Sequence, residues 1–393
     1  MSAPVTGPGA GLSSPRVLPR AGLVLTGGGA RAAYQVGVIK AVRDILGNPA
    51  RNPFPILAGT SAGAINAVTL ACFADHFTRA TGNLLEVWEH MRCDHVYHTD
   101  VAGVARSGAR WLASLMLMSR RNPVSLLDNR PLADMLTRSL PFERIQAHID
   151  SGALHAVSVT ASGYTSGQSV SFFQGGPGLE GWERNSRIGA AVSLKLDYLL
   201  ASAALPFLFP AVKVHREYFG DGSMRQIAPV SPALHLGADR VFVVGTGRQT
   251  NEVARARSNI YPSLAQVAGH ALNSIFLDSL LVDIERLERI NRTVELIPAE
   301  VRAANNMALR PVKVLFISPS QPIERIAARF LHELPRSVRF ILRPTGAISR
   351  SGSNLASYLL FEEPFCRALI DLGYQDTASR EKEVRAFFEG VAL

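Results

Sequence analysis

Twice near the start of the chain a short apolar run stops at glycine and gives way to helical spacing, and this repeated unit restricts the fold more than any other feature. Leu23-Val24-Leu25 runs into Gly27-Gly28-Gly29-Ala30-Arg31, after which Ala30, Ala33, Tyr34, Gly37, Val38, Ala41, Val42 and Ile45 recur at three- and four-residue steps. Arg31, Gln35, Lys40, Arg43 and Asp44 fall on the opposite side, which predicts an amphipathic helix. Asn48-Pro49 and Asn52-Pro53 break that helix, Ile56-Leu57-Ala58 makes a second short strand, and Gly59-Thr60-Ser61-Ala62-Gly63 turns into a further helix from Ala62. Strands without a polar face that alternate with helices pair in parallel beneath two helical layers.

The alternation continues along the chain. Residues 153–161, 169–173, 240–245 and 312–317 read as strands. Ser263 to Ile297 reads as one long helix with Leu264, Val267, Ala271, Ile275, Leu277, Leu281, Ile284, Leu287 and Ile290 on its apolar side. The expected fold class is therefore α/β, with three α/β/α layers around a mostly parallel sheet. Residues 84–150 are different: helical pieces interrupted by Arg120-Arg121-Asn122-Pro123 and Arg130-Pro131, expected to form a helical cap or insertion. Residues 1–20, rich in Gly, Pro and Ser, are expected to be a disordered tail, and residues 248–393 a helical and strand extension packed on the same core.

Composition limits what such a chain can be. At 393 residues, 47% hydrophobic and 19% charged, it can bury a large core. No stretch is expected to approach the roughly 20 apolar residues that span a bilayer. Cys72, Cys93 and Cys366 give no disulfide framework, and the first twenty residues hold no apolar signal core, so a cytoplasmic location is expected. The net charge of +9 is densest in Arg310, Lys313, Arg325, Arg329, Arg336, Arg339, Arg343 and Arg350, set against Glu324 and Glu333. An anionic membrane surface, touched peripherally, or an acidic substrate would be drawn to it. No interleaved aromatic platform or nucleic-acid motif accompanies the charge, so no nucleic acid partner is expected. Residues 110–121 carry Trp111, Leu112, Leu115, Met116, Leu117 and Met118 between basic ends, a composition that suits either a lipid interface, an acyl-chain wall or a core helix of the cap.

The chemistry rests on the two glycine turns and one aspartate. Gly27-x-Gly29-x-x-Ala32 offers consecutive backbone N–H groups at a helix start, which suits an oxyanion or the pyrophosphate of a dinucleotide. A dinucleotide site would need its acid at the end of the next strand, whereas Asp44 falls on the helix itself. Gly59-x-Ser61-x-Gly63 sits between strand and helix, the context in which a nucleophile elbow lifts a serine hydroxyl toward substrate. Its base is either a histidine such as His270 or His332, or an aspartate, Asp221, in the turn Tyr218-Phe219-Gly220-Asp221-Gly222-Ser223. His90, Cys93, His95, His98 and Asp100 lie close together but lack the second pair a structural zinc site presents, so neither metal nor cofactor is expected.

These three segments, in this order, resemble the patatin-like phospholipase family: a glycine-rich loop followed by arginine, a G-x-S-x-G serine and a D-G aspartate. Ala201-Ser202-Ala203-Ala204-Leu205-Pro206, Phe209-Pro210, Pro229-Val230-Ser231-Pro232 and Leu236-Gly237-Ala238-Asp239-Arg240 extend the likeness, which covers roughly residues 21–245 of an expected catalytic domain at 21–247. The resemblance implies a Ser61–Asp221 dyad without histidine, oxyanion N–H groups from Gly27, Gly28, Gly29 and Ala30 with Arg31 flanking them, elbow glycines Gly59 and Gly63, and hydrolysis of lipid acyl esters. Ala32 and Ser223 stand where many members have smaller residues, and Thr26 replaces the aspartate of plant members. The competing class is a non-catalytic or dinucleotide-binding protein using the Gly27–Gly29 turn. The motifs carry no information on head group, chain length or oligomeric state.

Overall fold

The first two apolar runs become adjacent parallel strands, and everything else is arranged around them. The computed structural model describes residues 19–100, 125–248, 261–305, 307, 309–349 and 352–391. Its strands are β1 (Ala21–Leu25), β2 (Ile56–Thr60), β3 (Ala156–Gly163), β4 (Ser169–Gly175), β5 (Trp182–Arg184), β6 (Arg187–Ala191), β7 (Val212–Val214), β8 (Glu217–Asp221), β9 (Arg240–Val244) and β10 (Lys313–Ile317). They form one sheet in the order β10-β9-β1-β2-β3-β4-β6-β5, with β8 paired to β3 and β7 to β8. The run from β10 to β3 is parallel throughout. Beyond β3 the sheet changes direction, with β4 and β8 both antiparallel to it.

Every residue of β1 and β2 is buried, because helices cover both faces. Leu23, Leu25 and Leu57 join the larger core, under α1 (Ala33–Ile45), α2 (Ala62–Cys72) and α3 (Phe77–Glu89) and the C-terminal helix Glu363–Ala378. Val24, Ile56 and Ala58 point the other way, into a smaller core with Val230, Ala233, Leu280 and Ile284. The alternation of side chains along each strand thus produces the three layers. The C-terminal part of the chain belongs to both faces: β10 extends the sheet next to β9, and Phe365, Leu369 and Ile370 enter the larger core.

The long helix differs from its sequence pattern. It is continuous from Leu264 to Glu295 but passes through a π segment at Ser274–Asp278. That wider turn rotates the buried face, so one stripe cannot run its whole length. Ile284 and Leu287 are buried as predicted, whereas Leu264 and Val267 are 68% and 53% exposed and Ala265 and Gly269 face inward instead. By length and composition alone, with a mean hydropathy of 1.3 over an 18-residue window, this helix is also sufficient to cross a membrane, which corrects the expectation that no stretch approaches that size. Here it packs on the sheet, and its Asp283 carboxylate accepts the Val230 N–H at 2.9 Å.

The interrupted region supplies α3, a short helix at Cys93–Val96, and the helices Arg130–Ser139 and Glu143–Asp150. The Trp111–Met118 run, the Arg120–Pro123 break and most of the N-terminal tail lie outside the described residues. All three cysteines are free and buried.

Candidate active site

Ser61 sits between β2 and α2 at the carboxyl end of the parallel strands, where open α/β sheets place their ligands. Its backbone has φ 56° and ψ −130°, a conformation that costs a non-glycine residue roughly 1–3 kcal/mol and must be held from outside. The Ser61 N–H donates to Ser202 Oγ at 2.8 Å, and the Ser202 hydroxyl donates to the Thr160 carbonyl at 2.6 Å. Gly63 lets the first turn of α2 press against β1, since a Cβ there would collide with the Leu25 carbonyl. The glycine spacing seen in the sequence therefore has a steric cause.

Asp221 reaches the same place from the opposite side of the chain. It ends β8, which lies antiparallel on β3 with Asp221 opposite Ala161, and β3 is the neighbour of β2. Its Oδ1 accepts the Ser223 N–H at 2.9 Å. The residue is 1% exposed, and burial raises its carboxyl pKa to about 6, opposed by hydrogen bonding from Ser61 and Ser223. Oδ2 is buried and meets no partner at full hydrogen-bond geometry, while the Ser61 side chain is among the influences that hold the carboxyl pKa down. Catalytic hydrogen bonds are commonly long in a free enzyme and tighten around substrate.

The glycine loop is fixed by its carbonyls. Gln35 Nε2 donates to Thr26 O at 2.7 Å, and Thr246 Oγ1 donates to Gly27 O at 2.6 Å. Thr26 itself ties the end of β1 to Val244 O through its hydroxyl at 3.2 Å. Gly29 has φ 54° and lies so close to the Tyr358 carbonyl that a Cβ would collide with it. The chain then enters a tight turn at Gly29–Ala32 and α1, whose first N–H groups have no partner within the helix and carry its positive end.

Arg31 is committed to the protein itself. Its N–H donates to Gly28 O at 3.1 Å. Its guanidinium, 2% exposed as a residue, donates to Ser357 Oγ at 2.7 Å, Asn273 Oδ1 at 3.0 Å, Asn354 O at 3.3 Å and Asn354 Oδ1, and stacks 3.9 Å from the Tyr358 ring centroid. Arg31 thus fastens the loop to the C-terminal part of the chain, where no sequence motif pointed. Arg31→Lys keeps the charge but loses the planar fork, and should lower kcat/KM for a soluble ester by roughly 10²-fold through misplacement of the loop. Steady-state kinetics beside a circular dichroism spectrum of unchanged shape checks this; full activity in a folded variant would show that the loop needs no such fastening.

Ser61, Ala62 and Gly29 form part of the lining of a cavity of about 700 Å³. Its other walls come from α2, α3 and the helix Arg130–Ser139, with Leu205, Phe209 and Phe361. Both alternative bases lie at the surface, unlike the buried Asp221: His270 is exposed, and His332 pairs with Glu333 at 3.0 Å. Asp44 pairs with Lys40 and Arg43 on α1, and β2 ends in the serine turn rather than an acid, which is the wrong arrangement for a dinucleotide ribose. Cys93 is engaged by the Tyr97 hydroxyl at 3.0 Å while His90 Nδ1 meets Glu86 O at 2.9 Å, and among the described residues no three His, Cys, Asp or Glu side chains converge on a metal position.

The model of the patatin-like phospholipase family matches residues 23–234. A cGAMP-activated phospholipase of Pseudomonas aeruginosa is 29% identical over 213 residues, which is 54% of this chain and 55% of that protein, so the match spans about half of the relative's length. Among solved structures, VipD from Legionella pneumophila aligns with 87% of this chain and 67% of its own at 13% identity and a TM-score of 0.31. A human GIVD cytosolic phospholipase A2 in complex with methyl gamma-linolenyl fluorophosphonate aligns with 95% of this chain and 60% of its own at 14% identity and a TM-score of 0.36.

Proposed function

The chain belongs to the patatin-like phospholipase family, and from that premise we propose that it is a lipid acyl hydrolase of the phospholipase or carboxylesterase type that works through a Ser61–Asp221 dyad. The observation that supports this reading is that the sheet carries to the neighbouring register positions Thr160 and Ala161 of β3 both a strained serine at the end of β2, which lines an apolar cavity, and a buried carboxylate at the end of β8, although they stand 160 positions apart in the chain. In its ionised form Asp221 takes the Ser61 proton as Oγ attacks the acyl carbonyl carbon. The tetrahedral oxyanion is held by the N–H groups of the Gly27–Ala30 loop and by the positive start of α2, including the Ala62 N–H, which sequence reasoning did not include. Asp221 returns the proton to the leaving alcohol, then takes one from water, which attacks the acyl-serine and frees Ser61.

A carboxylate raised to about 6 is a stronger base than an exposed aspartate yet mostly ionised at neutral pH, and both properties serve the role. Exposed Arg325, Arg329, Arg336 and Arg343, with Phe340 79% exposed beside them, support peripheral contact with an anionic membrane. Three free, buried cysteines fit a reducing compartment such as the cytoplasm. A fluorophosphonate probe should label the purified protein at one serine, and the label should vanish in Ser61→Ala. Labelling that persists in that variant would end the assignment.

A further inference from the structure

Resting on the acyl-hydrolase reading, the structure assigns a chain-length gauge to α2: we propose that the acyl chain of the substrate lies along the stripe Ser61, Ile65, Thr69 and Phe73, with Phe73 as its stop. These residues follow one another at four-residue steps, so they stack on one face of the helix, and all of them line the cavity. From Ser61 to Phe73 the helix rises about 18 Å at 1.5 Å per residue, a span that suits a long unbranched chain.

The stripe's neighbourhood contains polar residues, yet their polar atoms are committed elsewhere. The Thr69 hydroxyl donates to Ile65 O at 2.8 Å, which leaves its methyl group for the cavity. Asn66 donates to Ala32 O at 3.3 Å and Gln35 Oε1 at 3.0 Å and accepts the Trp88 indole N–H at 2.8 Å. The walls therefore behave as apolar, whatever the residue names suggest. Exposed Glu86, His90, Asp94, Asp134 and Arg138 confine the charged lining to the solvent rim. A hydrocarbon chain satisfies such an interior, whereas a polar ligand would find few free donors or acceptors there.

The far end is built as a stop. The Phe73 ring carries the Arg144 and Arg79 guanidiniums at 5.2 and 5.8 Å from its centroid, and both arginines pair with Asp75, at 3.1 and 2.6 Å. A chain that passed Phe73 would meet this charged cluster. Thr69, two turns from Ser61, divides the channel: an octanoyl chain ends short of it and a palmitoyl chain runs past it.

The test compares kcat/KM for p-nitrophenyl octanoate, palmitate and arachidate, dispersed in detergent. Each methylene excluded from an apolar site costs roughly a factor of four, so Thr69→Trp should lower the palmitate-to-octanoate ratio by about 50-fold or more. Phe73→Ala should raise the arachidate-to-palmitate ratio by about fourfold or more, and decides the matter alone if the tryptophan variant does not fold. Ratios within about twofold of the wild type in the folded variants overturn the gauge while leaving the hydrolase intact. Absence of hydrolysis of every ester by the wild type overturns the hydrolase reading itself, and the gauge with it.

Discussion

Ser61→Ala is expected to reduce kcat/KM for any acyl ester by roughly 10⁴- to 10⁶-fold, the range over which serine hydrolases fall when their nucleophile is removed. The magnitude follows from the division of labour in the site. Without Oγ no acyl-enzyme forms, so the oxyanion loop and cavity are left to bind a substrate that only water can attack. The variant should stay folded, with a stability close to that of the wild type. Its backbone remains tied by the N–H bond to Ser202 Oγ, and alanine is as small as the serine it replaces. A melting temperature within a few degrees of that of the wild type, measured beside single-turnover kinetics, would separate lost chemistry from lost fold. Residual turnover within about 10²-fold of wild type would mean that another group attacks the ester.

Much of this arrangement was legible in the residues, and the parts that were not have physical reasons. The β1–α1 and β2–α2 units stand where apolar runs met glycines, because a buried strand with no polar face and a tight turn leave strong local marks. β8 left almost none. It is short, with Glu217 and Tyr218 at its outer end, and its pairing with β3 is set by a partner more than fifty positions away. Asp221 was therefore readable only as a turn residue until the family likeness gave it a role. Arg31 shows the opposite case. Its place in the motif suggested the oxyanion, but its guanidinium is claimed by Asn273, Asn354 and Ser357, which no local pattern connects to it. The long helix shows a third kind: a π segment inserted between Asn273 and Ser279 moves the buried face, and periodicity cannot register an irregular turn.

Asp221→Asn should move activity and stability in opposite directions. The carboxyl is uncharged in the fold below pH about 6, whereas in the unfolded chain it ionises near 3.8. Because the folded value is the higher one, the native state binds the proton more tightly; that contribution is fully present below pH 3.8 and is lost as pH rises through about 6. At pH 8 the buried carboxylate therefore weakens the fold by roughly 3 kcal/mol relative to the neutral form. Asparagine escapes that cost while its Oδ1 still accepts the Ser223 N–H, and its Nδ2 takes the position of the unpartnered Oδ2. The variant should melt a few degrees above the wild type at pH 8, with the difference disappearing toward pH 4. Its kcat/KM should meanwhile fall by roughly 10²- to 10⁴-fold, the contribution of a positioned general base. The wild-type kcat/KM should show an acid limb with an apparent pKa near 6, dropping tenfold per pH unit below it, and that limb should be absent from the residual rate of the variant. A stabilising loss of charge coupled to a collapse in rate is the signature of a group held in a conformation the fold alone would not choose. If Asp221→Asn melted lower than the wild type at pH 8 and kept its rate, the carboxylate would be a structural anchor and the proton from Ser61 would have to go elsewhere.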